Sequence, residues 1–460
     1  MRSAVLALAC AWPLAAQTLT LEDVLASVDR HYPPLLAAVL EREIAAGGVE
    51  AALGKFDFRI GMRADTDQFG FYSNERLNTG FDQYLQTWGA SLYGGWRVGR
   101  GEFAAYDGKL QTRTDGEWRG GVKVPLFRDR RIDERRAELQ KARLERTLAD
   151  LSVDQQRVVI VQMATRRYWD WVAAGRRFQV AEGLLRIALE RDAQLRESVD
   201  LGQIPPIEAV ENRRAILQRR SQLVEQQRGL ENAAIELSLF YRDAAGGPVR
   251  AGADRLPGLL PGTETITDAA LVEDVARAID RRPELRYLAT EREQARVDLQ
   301  LAENQMLPGV ELAVGFTAES GGGPVKRGPN ELKAGIGFEL PFQRRSASGK
   351  ITMVSAKINQ IRHKERMTRD KIEAEVRDAA SAVRAAHERV ALLREEVEVA
   401  RQLEDAERAR FDLGDGTLFL VNLREQATAD AALRELAAVN DWLRAKAVYE
   451  QATAQLLARP

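Results

Sequence analysis

The landmarks of this chain occur twice, in the same order. Glu22-Asp23-Val24 returns as Glu273-Asp274-Val275, Asp29-Arg30 as Asp280-Arg281, Leu35 as Leu285, and Glu41-Arg42-Glu43 as Glu291-Arg292-Glu293. Further along, Pro125-Leu126-Phe127 has a counterpart in Pro341-Phe342, and Asp200-Leu201-Gly202 recurs as Asp412-Leu413-Gly414. One such match arises by chance, but an ordered series points to an internal duplication. The 460 residues therefore divide into a first repeat over 17–242, a Pro- and Gly-rich linker over 243–270, and a second repeat over 271–458.

Each repeat alternates two hydrophobic periods. A helical segment comes first, over about 21–53 and again over 271–305. The pattern then switches to period two. Val310, Leu312, Val314 and Phe316 alternate with Glu311, Ala313, Gly315 and Thr317; after a turn from Gly321 to Pro329, Leu332, Ala334, Ile336, Phe338 and Leu340 alternate with Lys333, Gly335, Gly337 and Glu339. The first half matches this with Phe56, Phe58, Ile60 and Met62 against Asp57, Arg59, Gly61 and Arg63, and with a returning strand through Trp118, Gly120, Val122, Val124 and Leu126. Strands are thus expected within about 56–128 and 309–342. Such alternation gives one apolar and one polar face. A half-buried soluble sheet would read the same way, yet the strand lengths approach the ~9–11 residues that cross a bilayer when tilted. An extra stretch from Tyr84 to Val98, with Tyr84, Trp88, Ala90, Leu92, Trp96 and Val98 on one face, is either an insertion or additional strand.

Long heptad patterns follow, in helical hairpins over 132–242 and 349–458. Trp171, Phe178, Leu185, Asp192 and Val199 are spaced by seven, with Ala174, Ala181, Ala188 and Leu195 three residues after the first four. Val383, Val390, Val397, Glu404 and Phe411 repeat the spacing, with Ala386, Leu393, Ala400 and Glu407 three later. Asp192 and Glu404 interrupt the two seams at the same step. A sustained seven-residue period specifies coiled-coil packing. Gly202 and Gly414 stop the two helices, and Pro205-Pro206 restarts the first return helix, which continues through Ile216, Leu223, Leu230 and Leu237.

Composition closes off several functions. Lys+Arg (67) and Asp+Glu (68) nearly cancel, so no bulk charge draws the chain to nucleic acid. Three histidines and the single Cys10 leave little for a metal site or a thiol nucleophile, and no nucleophile elbow or phosphate loop is present. His363 and His387 fall on charged helical surface. Catalysis, cofactor binding and metal binding are accordingly not expected. Met1-Arg2, the apolar run Ala4–Ala11 and the small residues before Gln17 read as a signal peptide over 1–16, with a lipoprotein reading at Cys10 as the weaker alternative. No later apolar stretch reaches the ~18 residues of a transmembrane helix, so any spanning falls to strands.

A signal peptide, two repeats, strand pairs and two long helical hairpins together resemble the TolC family of outer-membrane efflux proteins, the outer-membrane factors. The resemblance runs from Leu21 to about Leu457. It rests on Pro125-Leu126-Phe127, Pro341-Phe342, Leu307-Pro308 and the two hairpin tips, Val199 to Pro205 and Phe411 to Thr417. It implies an α+β membrane protein: a homotrimer in the outer membrane of a Gram-negative-type bacterium, four strands per chain entering one shared β-barrel, continuous with a periplasmic α-helical coiled-coil barrel. It further implies a passive exit duct for efflux or type I secretion, served by an inner-membrane transporter through a periplasmic adaptor (membrane fusion protein). The tips Asp200, Leu201, Gly202, Pro205, Asp412, Leu413 and Gly414 would meet that adaptor, and Arg59, Arg63, Lys333 and Glu339 would line the lumen.

The sequence departs from the family pattern beyond the tips. Well-studied members carry acids six and nine residues after the second tip glycine. Here those places hold Leu420 and Leu423, while the first repeat has Glu208 and Glu211. These four are the candidate aperture; plain coiled-coil packing for the leucines, and a solvated helix face for the glutamates, are the competing readings. The main alternative function is a soluble periplasmic coiled-coil scaffold or adaptor. The transported substrate, drug, metal ion or polypeptide, is not legible.

Overall fold

The structure, a computed structural model, describes residues 18–323 and 330–458. The expected signal peptide with Cys10, and the turn residues Pro324 to Pro329, lie outside the described residues. Two compact units result, each drawing on both halves of the sequence: one combines the segments up to Val39, Val153–Pro283 and Arg369 onward, the other Leu40–Ser152 and Glu284–Thr368.

The helices are α1 (Leu21–His31), α2 (Pro33–Leu53), α3 (Glu134–Asp200), α4 (Pro206–Ser238), α5 (Asp268–Arg281), α6 (Pro283–Asn304), α7 (Arg345–Asp412) and α8 (Leu418–Ala452). The opening helical segment of each repeat, expected as one piece, is two helices divided before Pro33 and before Pro283. Proline lacks the N–H that an interior turn needs and disfavours helical geometry in the residue before it. Tyr32 and Arg282 accordingly take extended backbone. Thr20 and Asp23 form a reciprocal capping box on α1, and Thr267 and Thr417 cap α5 and α8. The long helices α3 and α7 match the heptad stretches to within a few residues.

In the first unit the seam positions are the buried ones. Trp171 is wholly buried, and Val383, Val390 and Val397 are at most 3% exposed. Around Trp171 gather Leu19, Val24, Val28, Leu35, Tyr168 and Leu237. Each such large apolar side chain contributes about 1.5–3 kcal/mol by leaving water. Tyr168 donates to the Leu19 carbonyl at 3.0 Å, and burial, with Glu22 and Asp23 nearby, pushes its phenol up to about 12. The Pro- and Gly-rich stretch between the halves packs against this unit. Ala251 and Leu256 are buried, Trp442 donates to the Glu264 carbonyl, and His387, expected as solvated, is half-buried against Thr263 at 3.1 Å.

The second unit carries the sheet: β1 (Arg59–Asp67), β2 (Asn74–Tyr84), β3 (Ser91–Gly101), β4 (Glu117–Pro125), β5 (Gly309–Glu319) and β6 (Asn330–Glu339). All neighbours are antiparallel and the spatial order is the chain order, so β1 and β6 are the edges. This corrects the expectation of four strands: the stretch from Tyr84 to Val98 holds an additional strand, β3, and a further strand not expected from the sequence, β2, precedes it, making six among the described residues. Tyr84 pairs with Ser91 and so sits on the face opposite Leu92 and Trp96, while Trp88 lies in the connecting turn with φ 58°. Phe56 is not a strand residue; it is buried beneath Ala52 and Leu139.

Registers sort the side chains cleanly. One row runs Arg59, Asp82, Tyr93, Gly121, Gly315, Lys333; the next runs Ile60, Phe81, Gly94, Gly120, Phe316, Leu332. The first row's face is charged and glycine-rich, and the second row's face is apolar. Aromatic rings recline over the glycines on both. Tyr93 covers Gly121 and Gly315, where an added Cβ would lie 2.6 and 2.5 Å from its hydroxyl, and Phe81 covers Gly94. Such ring-over-glycine contacts restore packing that the bare backbone lacks. A Cβ on Gly95 would run into the Thr79 carbonyl and Gly80, whereas one on Gly335 meets nothing within 4 Å. Gly95→Ala should therefore lower the thermal unfolding midpoint of the purified protein in detergent markedly, and Gly335→Ala should leave it nearly unchanged.

Candidate functional site

Both hairpin tips are built by the same backbone device. Gly202 and Gly414 have φ of 71° and 78°, the left-handed geometry that costs glycine nothing. The Gly202 and Gln203 amides donate to the Val199 and Ser198 carbonyls, and the Gly414 and Asp415 amides donate to those of Phe411 and Arg410, all at 2.9 Å. These are paired Schellman closures, which satisfy the last helical carbonyls without side chains. The side chains are thereby left free to face outward: Leu201 is 65% and Leu413 is 84% exposed. Pro205 caps α4 from an extended backbone.

The candidate aperture residues do not share one environment. On α8 the buried face is Leu418, Val421, Asn422 and Glu425, at helical spacing. Leu420 lies half-buried beside it, and Leu423 is 51% exposed, so Leu423 is not packed in a seam of its own chain. On α4 the buried face is Asn212, Ala215, Ile216 and Arg219. Glu208 and Glu211 flank it half-buried, and Glu211 pairs with Arg214 at 2.7 Å. Ile207, Val210, Leu217 and Val224 form an apolar line along the outer side of α4 and are each more than half exposed.

Between the hairpins lies a charge cluster that the sequence reading did not name. Glu425 on α8 is 1% exposed. It accepts from Arg191 on α3, from Arg219 on α4 at 2.8 Å and from Arg408 on α7 at 3.0 Å. Asn422 accepts from Arg191 at 3.0 Å, and Arg219 also donates to the Leu184 carbonyl at 2.9 Å. Glu404 holds Arg408 at 2.8 Å, while Asp192 accepts from Asn212 at 3.2 Å. The two acids that interrupt the heptads thus sit at the margin of this cluster. Arg219, three residues after Ile216 in a seam place, was the other readable sign. Burial pushes the Glu425 carboxyl up, but hydrogen bonds and charge from Arg191 and Arg219 outweigh it and hold the group below the usual carboxylate range.

In the sheet unit, Arg59, Arg63, Lys333 and Glu339 are exposed and share the polar face by register. Glu339 pairs with Arg128 at 2.8 Å, Lys333 with Glu331 at 3.1 Å and Arg63 with Asp65 at 3.0 Å. On the opposite face Ile60, Met62, Leu332, Ile336 and Phe338 are each about 70% exposed or more. No described helix is long and apolar enough to cross a membrane. Within its own unit the sheet thus has one charged and one exposed apolar face, the two-sidedness expected of a sheet set between lipid and water.

Comparison with known proteins agrees with that reading. Residues 275–456 match the family model for outer membrane efflux proteins. The fold is similar to that of the CmeC outer membrane channel of Campylobacter jejuni (13% identity, 98% of this chain and 93% of that chain, TM-score 0.62). It is similar as well to the MtrE outer membrane channel of Neisseria gonorrhoeae in its open state (14%, 94% and 88%, 0.65) and to the outer membrane protein VceC of Vibrio cholerae (15%, 96% and 99%, 0.63). A comparison with curated sequences finds no significant match. The second half of the chain thus matches the outer membrane efflux protein model, and the fold over nearly the whole chain is that of solved outer membrane channels.

Removing Glu425 would leave the guanidinium groups of Arg191 and Arg219 facing one another in the interior, with the exposed Arg408 at its margin, a loss of about 3–5 kcal/mol for a broken buried pair. Glu425→Ala should lower the thermal midpoint strongly, whereas Glu211→Ala, which breaks a pair with the solvent-exposed Arg214 on the same helix, should leave it nearly unchanged. Because the folded-state value of Glu425 is depressed, its contribution is present above the unfolded carboxyl range near pH ~4.3. It is lost as the pH falls through the lower folded value, and the gap between the wild type and Glu425→Ala should narrow there.

Proposed function

We propose that this protein is a passive exit duct of the outer membrane, a homotrimer that takes substrates from an inner-membrane transporter through a periplasmic adaptor, in tripartite efflux or type I secretion. The observation that carries the reading is the two-sided sheet. Its apolar face, from Ile60 to Phe338, is left bare among the described residues, while its other face bears Arg59, Arg63, Lys333 and Glu339. Lipid suits the first and water the second. The apolar line on α4 supports neighbours for the helices as well. A soluble scaffold would leave both surfaces in water, and a high-salt wash of the membrane fraction would release it. The tips from Asp200 to Pro205 and from Asp412 to Gly414 are the proposed adaptor contacts.

The face assignment is open to direct labelling. With Cys10 the chain's only native cysteine, cysteines placed at Arg59 or Lys333 should react with a small charged thiol reagent in outer membranes. Those placed at Ile60 or Ile336 should resist it; the reverse pattern would place the charged face toward lipid.

The aperture is proposed to lie just past the tips, where Leu420 and Leu423 can dry a narrow passage beside Glu208 and Glu211 of the first hairpin. Replacing both leucines by Ser should raise single-channel conductance in planar bilayers without dissociating the oligomer. Replacing Val397, which is 3% exposed, by Ser should instead act through stability. Unchanged conductance for the leucine pair would move the constriction to Glu208 and Glu211.

A further inference from the structure

We propose that the two strand-to-helix connections, which follow β4 and β6, hold the phosphate groups of an anionic phospholipid in the leaflet on the helical side of the membrane. The proposal rests on the outer-membrane reading above and names the lipid that the embedded sheet selects.

The sequence writes this connection twice. Pro125-Leu126-Phe127 is followed by Arg130-Arg131, and Pro341-Phe342 is followed by Arg344-Arg345. Phe127 is 55% and Phe342 is 96% exposed. All four arginines are exposed, and none has a carboxylate partner among the described residues. The acids around them are mostly taken by other cations. Asp129 and Glu339 face Arg128 at 3.7 and 2.8 Å, Asp133 holds Arg136 at 2.6 Å, and Glu138 pairs with Lys55. Both connections line one cleft of about 420 Å³, with Arg128, Arg135 and Arg344 on its walls and Glu134 as its one unpaired acid. The charge balance of that cleft favours an anion.

The first connection is also held from behind. The Asp129 amide donates to the side chain of buried Asn304 at 2.8 Å, and Arg136 donates to the Asp129 and Arg130 carbonyls. Asp129 takes a φ of 68°, which residues other than glycine seldom adopt. The backbone is thus fixed while the guanidinium groups of Arg130 and Arg131 stay free.

The opposite end of the sheet differs. There Arg76 pairs with Asp67 at 3.0 Å, Arg97 with Glu117 and Arg113 with Glu319 at 3.9 Å, while Arg100 donates to the Thr114 carbonyl at 3.1 Å. Free guanidinium groups therefore gather at one end of the bare apolar face, the end where α3 and α7 begin. A guanidinium matches phosphate in charge and in its two-pronged geometry. Exposed aromatic rings suit the boundary between acyl chains and headgroups, and basic clusters at that depth attract anionic lipid. Continuity of the arginines with an apolar face that suits lipid favours a phospholipid over an acidic protein surface.

The test places the full protein in nanodiscs of phosphatidylcholine mixed equally with phosphatidylglycerol, then measures by native mass spectrometry the lipids it keeps on release. The unmodified protein should retain phosphatidylglycerol at least about tenfold over phosphatidylcholine. Replacing Arg130, Arg131, Arg344 and Arg345 together by Gln should abolish that preference, and Arg100→Gln, at the opposite end, should keep it. Equal retention of the two lipids by the unmodified protein overturns the proposal, as does an undiminished preference in the fourfold variant. Should that variant fail to assemble, each arginine pair is replaced alone, and a preference that survives both replacements is equally fatal. Flotation with vesicles of the same composition after a high-salt wash separates this from the reading beneath it. Protein that does not float refutes the membrane embedding itself, whereas protein that floats without a lipid preference refutes only the phosphate site.

Discussion

A backbone amide with no partner is tolerable in water and expensive in an apolar medium, and the sheet of this protein carries two complete edges of them. β1 and β6 expose their outer hydrogen-bonding groups, while Ile60, Met62, Ile336 and Phe338 turn a bare apolar face outward. A medium that suits the face does not suit the edges. The conflict disappears when the edges find each other in neighbouring copies.

In the helical unit the corresponding constraint is charge. The seam around Trp171 and Val390 is ordinary hydrophobic packing, but near the tips α3, α4, α7 and α8 meet around one carboxylate, Glu425. Three arginines around a single buried acid form an arrangement whose stability is conditional, because its members compensate one another and none can be removed alone without cost. A wholly apolar seam would hold the two hairpins together without that condition. The cluster therefore makes the packing of the hairpins near the tips sensitive to charge in a way that the Trp171 region is not.

Much of this was legible in the sequence. The seven-residue periods through Trp171 and Val383 placed α3 and α7 to within a few residues, and the Asp-Leu-Gly pairs located both tips. Period-two alternation found β1, β4, β5 and β6, and marked the stretch that holds β3. It missed β2 because the apolar face of that strand offers only Leu77 and Phe81, with Thr79 between them and Glu75 at one end. What makes β2 a strand is pairing on both sides, which no local pattern contains. Pro33 and Pro283 carry the signal for the split helices. The Glu425 cluster could not be assembled from the chain, since its members come from positions as far apart as 191 and 425 and become neighbours only when four helices pack.

Glycine recurs among the charges on the polar side of the sheet, at Gly61, Gly80, Gly95, Gly121, Gly335 and Gly337 among others. Some of these positions are closed by a neighbouring ring or carbonyl, but Gly61 and Gly335 look onto open space. A wall so thinly lined has its contour set by backbone rather than by side chains. Selection can therefore add a side chain at one of the open places, and with it bulk, charge or a hydrogen-bonding group, without disturbing strand pairing or the apolar face. The lining can be rewritten one residue at a time while the fold stays as it is, which lets the permeability of such a protein diverge faster than its architecture.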